Sequence, residues 1–318
     1  MAQPNHDPTA GDVLGVYLRG QATAFLRALR VHEGGTANGS DATESNEAAR
    51  GLRGAARRIA GSLSTFRVVT DSAWADSLRT ELVWLSSTLA DEHVYAARLS
   101  RLMEALQRLS GSPDVPSPRP AQPSGALTVG SARAGALLER QLTLARTRAH
   151  SATLQALGSS RFHAVADAVA VLASEVPLDR VAARGRIEEV LVPLASVTET
   201  RLDTAVSALP DADATTAYSA HEDSAWYEVR RLLRVHRYAR EALGDDVSRL
   251  TAAGLTLDRH RDASEAATAS ATAARTPRIA PATAYALGVL HADQRHAALA
   301  ARQTFHTLWH PVPATTPS

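Results

Sequence analysis

The 318-residue chain contains no cysteine and no lysine. The first absence removes thiol nucleophiles, iron–sulfur centres, cysteine zinc sites and disulfides. The second means that all 34 basic residues are arginine. It excludes chemistry that needs a lysine: a P-loop, a Schiff base, or the lysine-lined tunnel of triphosphate hydrolases. Aromatics make up only 4% of the chain, against 45% hydrophobic residues of which many are alanine. That balance favours close-packed helices over sheet. No run approaches the ~20 apolar residues of a membrane span. The opening stretch, MAQPNHDPTAGDV, has no apolar core and does not read as a signal peptide. A cytoplasmic protein without a membrane contact is expected.

Apolar residues recur at helical spacing throughout, and no segment alternates as a strand does. A helix is expected over Asp12–Val31, followed by a Gly/Ser/Asn/Asp loop over His32–Asn46. Leu78, Leu82, Leu85 and Leu89 form one stripe; Leu99, Leu102, Met103, Leu106 and Leu109 form another. Pro113, Pro116, Pro118, Pro120 and Pro123 mark a linker. Helical patterning resumes at Leu137–Leu157, and Gly158-Ser159-Ser160 reads as the cap of a further helix with Val165, Val169 and Leu172 inward. A helix over Arg184–Leu209 contains Pro193, and two more are expected near Ser248–Ala274 and Pro281–Trp309. The expected class is all-α with ten or eleven helices. The expected organisation is a tail (1–11), a first helical half (12–109), a Pro/Ser-rich linker (110–132), a second half (133–310) and a final tail (311–318), the two halves making one domain.

The charges are segregated, although the net charge is only +1. Ala48–Thr70 holds five Arg and no acid; Arg140–Ala166 holds four Arg and two His, again with no acid. Two segments repeat one pattern. In AARGLRGAARRIAGSLSTF, ending at Phe66, Arg50, Arg53 and Arg57 fall on one helix side opposite Leu52, Ile59, Leu63 and Phe66. In YEVRRLLRVHRYAREAL, ending at Leu243, Arg230, Arg234 and Arg237 make the stripe, with Val229, Leu232, Leu233 and Leu243 behind it. Placing Arg53 on Arg230 also places Arg57 on Arg234, which suggests an internal duplication. Clustered arginines repel one another, and an arriving anion offsets that cost.

Six segments in order resemble one family, the CHAD domain, an α-helical module named for conserved histidines. Arg53, Arg57, Arg58 and Phe66 match its first signature. LRTELVWLSSTL (Leu78–Leu89) and AHSATLQALGSSRF (Ala149–Phe162) resemble its next two segments. Glu228, Val229, Arg230, Arg234, Arg237 and Tyr238 match its second signature, and LDRHRDA (Leu257–Ala263) and ALGVLHA…W (Ala286–Trp309) its last two helices. The naming histidines are replaced by Arg50 and Tyr227. Further departures are His93-Val94, Ala60 and Val235. The chain is thus a divergent member.

The resemblance implies two pseudo-twofold-related helical bundles with a central basic groove, and non-catalytic binding of inorganic polyphosphate. Guanidinium suits that ligand, since it stays charged and bonds phosphate oxygens bidentately. The expected contacts are Arg53, Arg57, Arg230 and Arg234, with Arg50, Arg58 and Arg237 at the rim. Arg58 and Arg237 have a structural alternative, bonding helix ends or an acid such as Glu241. Tyr227, His150, His260 and His291 are further groove candidates, whereas His236 lies on the apolar side and reads as a core histidine. No cofactor is expected. No metal is expected either: His306 and His310 are spaced to share an ion, but no third ligand is evident. Enzymatic activity is not expected, as no carboxylate pair or Ser-His-Asp order has supporting context. Two other readings remain: a nucleic-acid binder, disfavoured because no aromatic interleaves with Arg50–Arg58, and a helical scaffold whose groove has degenerated. The oligomeric state is left open.

Overall fold

The computed structural model describes residues 7–38, 42–111, 125–210 and 218–310. Among them are nine α-helices: α1 (Ala10–Asn38), α2 (Ala42–Thr65), α3 (Ser72–Ser110), α4 (Gly125–Leu157), α5 (Ser160–Ser174), α6 (Ile187–Ser207), α7 (Asp223–Leu243), α8 (Ser248–Ala274) and α9 (Pro281–Trp309). Three 3₁₀ turns, Arg67–Val69, Ala182–Arg184 and Ala220–Glu222, complete the secondary structure. The described residues hold no strand, only two isolated bridges, Thr9 with Arg186 and Thr70 with Leu178. The protein is all-α.

Several helix ends follow from local chemistry. Thr9 and Asp12 cap α1 reciprocally: Thr9 N–H donates to Asp12 Oδ2 (3.0 Å) and Asp12 N–H to Thr9 Oγ1 (3.2 Å). Ser159 caps α5 by accepting from Phe162 N–H (3.2 Å), and Phe162, Val165, Val169 and Leu172 are buried behind it. At the end of α7, Gly244 has φ +79°. Its N–H donates to Glu241 C=O (3.1 Å) and the Asp245 N–H to Arg240 C=O (3.1 Å), the paired bonds of a Schellman cap.

The structure corrects three expectations. The loop placed over His32–Asn46 is helical at both ends, since α1 runs to Asn38 and α2 begins at Ala42; residues 39–41 lie outside the described residues. Propensity penalties for Gly and Asn are small per residue and yield to the amphipathic register of the flanking packed segments. Helix α4 begins at Gly125, inside the stretch 110–132 where no long helix was expected; 112–124 lie outside the described residues. The two leucine stripes of 78–109 belong to one 39-residue helix, α3, so among the described residues the helices are fewer and longer than expected.

The chain divides into two compact units. The first takes residues up to Asp91, Ala149–Ala208 and Arg231–Leu250; the second takes Glu92–Arg148, Leu209–Arg230 and Thr251 onward. Both therefore draw on early and late parts of the sequence, and α3, α4, α7 and α8 each contribute to both. The core of the first unit gathers Leu14, Leu18 and Phe25 of α1, Leu52, Ile59 and Leu63 of α2 with Phe66, Leu82 and Leu85 of α3, and Val165 and Leu172 of α5. The four apolar residues read behind the first arginine stripe are all within it, at 0–1% exposure. Burying such side chains stabilises by about 1.5–3 kcal/mol each. The second unit is built from Leu102, Leu106, Leu138, Leu142, Leu287 and Leu290 around alanines of α8.

In the first unit, Gly61 of α2 faces the Tyr238 ring of α7. A Cβ at Gly61 would sit 2.7 Å from Tyr238 Cδ2, and that ring is only 3% exposed. Gly61→Ala is expected to lower stability by about 1–3 kcal/mol through overpacking. Urea unfolding followed by circular dichroism reads this directly; an unchanged midpoint would show that the ring yields.

Candidate functional site

The arginine helices fold where the pattern put them. Leu52, Ile59 and Leu63 anchor α2; Val229, Leu233, Ala239 and Ala242 anchor α7, whose Leu232 and Leu243 are half-buried. On α2, Arg50 is exposed and donates from Nε to its own helix at Asn46 C=O (3.3 Å). Arg53, Arg57 and Arg58 are half-buried, as are Arg230, Arg234 and Arg237 on α7. The Nε of Arg57 is enclosed and makes no hydrogen bond among the described residues.

Within the first unit, Glu241 of α7 is the meeting point of three helices. Its Oε2 accepts from Arg58 Nε of α2 (2.8 Å) and from the Tyr17 hydroxyl of α1 (3.2 Å). Its Oε1 lies 3.3 Å from Arg237 Nε, one helical turn away. The Tyr238 ring faces both guanidinium groups, at 5.5 Å from Arg58 and 5.2 Å from Arg237. Burial lowers the pKa of Arg58, but the Glu241 carboxylate outweighs it and leaves it raised. Burial, reinforced by Glu241, pushes the Tyr17 hydroxyl up, so Tyr17 remains a donor. The structural alternative for Arg58 and Arg237, an ion pair with Glu241, is thus what the fold adopts. His236 packs as a core histidine at 4% exposure, its Nδ1 2.9 Å from Thr198 Oγ1.

Within the second unit, Arg230 is ion-paired with Asp258 of α8 and only 12% exposed, while Asp258 is 45% exposed. Tyr227 bonds Ser264 Oγ (2.7 Å) through its hydroxyl. His291 Nδ1 is 2.9 Å from the Ala267 carbonyl oxygen; His150, on the part of α4 that belongs to the first unit, is exposed. His260 is 1% exposed. Its Nε2 is 3.1 Å from both Asp223 Oδ1 and Arg302 Nε. Arg302 is itself buried at 4%, bonded to Glu222 Oε2 (2.5 Å), Asp223 Oδ1 (2.8 Å) and the Ser219 carbonyl (3.1 Å). It also faces the rings of Tyr218 and Trp226, and the Tyr218 hydroxyl donates to Asp223 Oδ2 (2.6 Å).

This network escaped the sequence reading. Arg302 sits in an alanine-rich run, and only folding brings it to acids about 80 positions away. Asp258 was legible only as the aspartate of LDRHRDA. Among the described residues, no group of three or more His, Asp or Glu is disposed to hold a metal ion, and no helix is long and apolar enough to cross a membrane.

Comparison with known proteins now bears on these positions. The CHAD domain family model matches residues 20–267. The chain belongs to the CHAD domain family. A solved structure described as PptA from Streptomyces chartreusis is 56% identical, with a TM-score of 0.80, covering 95% of this chain and 99% of that one. The CHAD domain from the plant Ricinus communis is 19% identical with a TM-score of 0.62, covering 97% and 94%, a likeness of fold. No curated protein matches the chain. All seven arginines lie inside the family match, and so do Tyr227, His150 and His260; His291 lies beyond it.

Burial, then the Arg302 and Arg230 charges, against the pull of Asp223, holds the His260 pKa below the usual histidine range. Burial likewise lowers that of His236. At pH below about 6.5 the unfolded chain takes up protons that the folded chain refuses, so stability falls as pH drops through that value. Urea midpoints at about pH 7.5 and pH 5.5 test this. The lower pH is expected to give the lower midpoint, and His260→Asn a smaller difference; equal midpoints would remove the histidines as the cause. Burial raises the Asp223 carboxyl, but His260, Tyr218 and Arg302 outweigh it and hold it low. Its stabilisation is therefore present above its unfolded pKa and lost only in stronger acid. Arg302→Ala leaves this carboxylate uncompensated and is expected to cost about 3–5 kcal/mol, read from the same urea curves.

Proposed function

We propose that this CHAD protein binds inorganic polyphosphate without catalysis, through the arginines of α2 and α7: Arg53, Arg57, Arg230 and Arg234, with Arg50, Arg58 and Arg237 at the rim. The supporting observation is the pair of arginine stripes on well-buried helices in a chain whose net charge is only +1. The family adds weight, since some of its members are known to bind polyphosphate. Half-buried guanidinium groups in rows suit a ligand of one repeated charge and no sequence. Each can bond phosphate oxygens bidentately, and none can lose its proton at working pH. Binding by counterion release then falls steeply with salt. Arg50 and Tyr227 replace the family's naming histidines: the first keeps a cation, the second a hydrogen-bonding ring already engaged with Ser264.

A second reading, a helical scaffold with a degenerate site, is favoured by the ion pairs that already engage Arg58, Arg230 and Arg237. Titration calorimetry with long-chain polyphosphate at two salt concentrations separates the two. Binding is expected to be salt-sensitive and to weaken at least about a hundredfold in the Arg53→Ala/Arg57→Ala/Arg230→Ala/Arg234→Ala variant, as about 3 kcal/mol would dictate. Absence of binding by the unaltered protein at low salt would put the scaffold first.

A further inference from the structure

The stripes are not bare: in each unit a carboxylate already occupies part of them. Glu241 serves Arg58 and Arg237 together, so two positive charges meet one negative charge and a net attraction survives. Tyr17 fixes the carboxylate from a third helix. At the other position the exposures are unequal: Arg230 is 12% exposed and Asp258 is 45% exposed, so the arginine is largely covered while the acid it pairs with stands open to solvent. These are two independent acids on different parts of the fold, each bonded to arginines of the same pattern.

An intramolecular carboxylate competes at an effective concentration that dilution never lowers. An incoming anion must displace it or approach against its repulsion, and juxtaposed like charge is a means of rejecting wrong partners. The cost is fixed per arginine, while the gain depends on how many ligand charges reach the same guanidinium. Directly linked phosphates crowd their charges along the chain. A nucleic-acid strand separates them with sugars and brings fewer to each arginine.

We propose that Glu241 and Asp258 are selectivity residues, built-in competing anions that admit a polymer of dense charge to the arginines and turn away nucleic acid. This rests on the polyphosphate reading above. They act by holding the binding arginines, and their removal changes preference rather than creating the site.

The test is calorimetry or fluorescence anisotropy with long-chain polyphosphate and with single-stranded poly(U) RNA. The proteins are wild type, Glu241→Gln, Asp258→Asn, the double variant, and Glu81→Gln. The last is an equal-charge control: Glu81 pairs with Arg161 of α5, which belongs to neither stripe. In the double variant RNA affinity is expected to rise and the preference for polyphosphate over RNA to fall by about tenfold, worth about 1.4 kcal/mol. The salt slope for RNA steepens as further arginines reach phosphate. Glu81→Gln should leave the preference as in wild type. A preference unchanged in the double variant, or changed equally by Glu81→Gln, overturns the proposal, as does weaker polyphosphate binding with RNA unaffected. If the double variant unfolds, the single variants carry the same comparison, each with about half the shift in free energy. If wild type binds no polyphosphate, the parent reading fails by itself. RNA titrations then decide: a gain in the acid variants that Glu81→Gln lacks supports gating by these acids, and no gain refutes it.

Discussion

The carboxylate of Glu241 fixes α1, α2 and α7 to one another in the first unit, and the arginine site there depends on it. Tyr17 and Arg58 donate to one of its oxygens, and the Arg237 guanidinium is ion-paired with the other. With Gly61 letting the Tyr238 ring lie against α2, the bond sets how α2 and α7 meet and where Arg58 points. The same contact is structural and electrostatic at once: it orients two guanidinium groups and offsets part of their positive charge. Gly244 ends α7 with a left-handed residue three positions later, so the helix carries Glu241 in its last turn.

Reliance on arginine alone gives the molecule a second kind of charged contact. Arg302 is buried among Glu222, Asp223, His260 and two aromatic rings. Guanidinium can bear such burial because its planar fork distributes bonds to several acceptors and its faces stack on rings. The arrangement joins α9 to the start of α7 and to the 3₁₀ turn before it. Its acids are spent inside the second unit, whereas Glu241 and Asp258 stand at arginines that belong to the stripe. Acids thus divide between the buried Arg302 network and the arginines of the stripe.

Arg50 and Tyr227, the positions that the resemblance sets against family histidines, fit this division. Arg50 lies on the exposed face of α2 and bonds its own backbone at Asn46. Tyr227 bonds Ser264 and lies 6.0 Å from the His260 ring, beside the buried network. One position carries a permanent charge and the other is part of the packing.

Much was local and therefore legible. The all-α class, the registers of α2 and α7 and the buried faces opposite the arginines follow from 3.6-residue periodicity, which the sequence displays residue by residue. The Ser159 cap and the core placement of His236 could be read the same way. Helix length was less legible at 32–38, 42–46 and 90–98, because weak helix formers continue a helix when their neighbours are packed, and packing is not written locally. What only the tertiary structure decided was pairing. Arg58 and Glu241 lie 183 positions apart, Arg230 and Asp258 lie 28 apart on separate helices, and Arg302 lies some 80 from its acids. Charge pairing has no periodicity to read. The stripe announces that cations are present; the fold determines which of them an acid already holds.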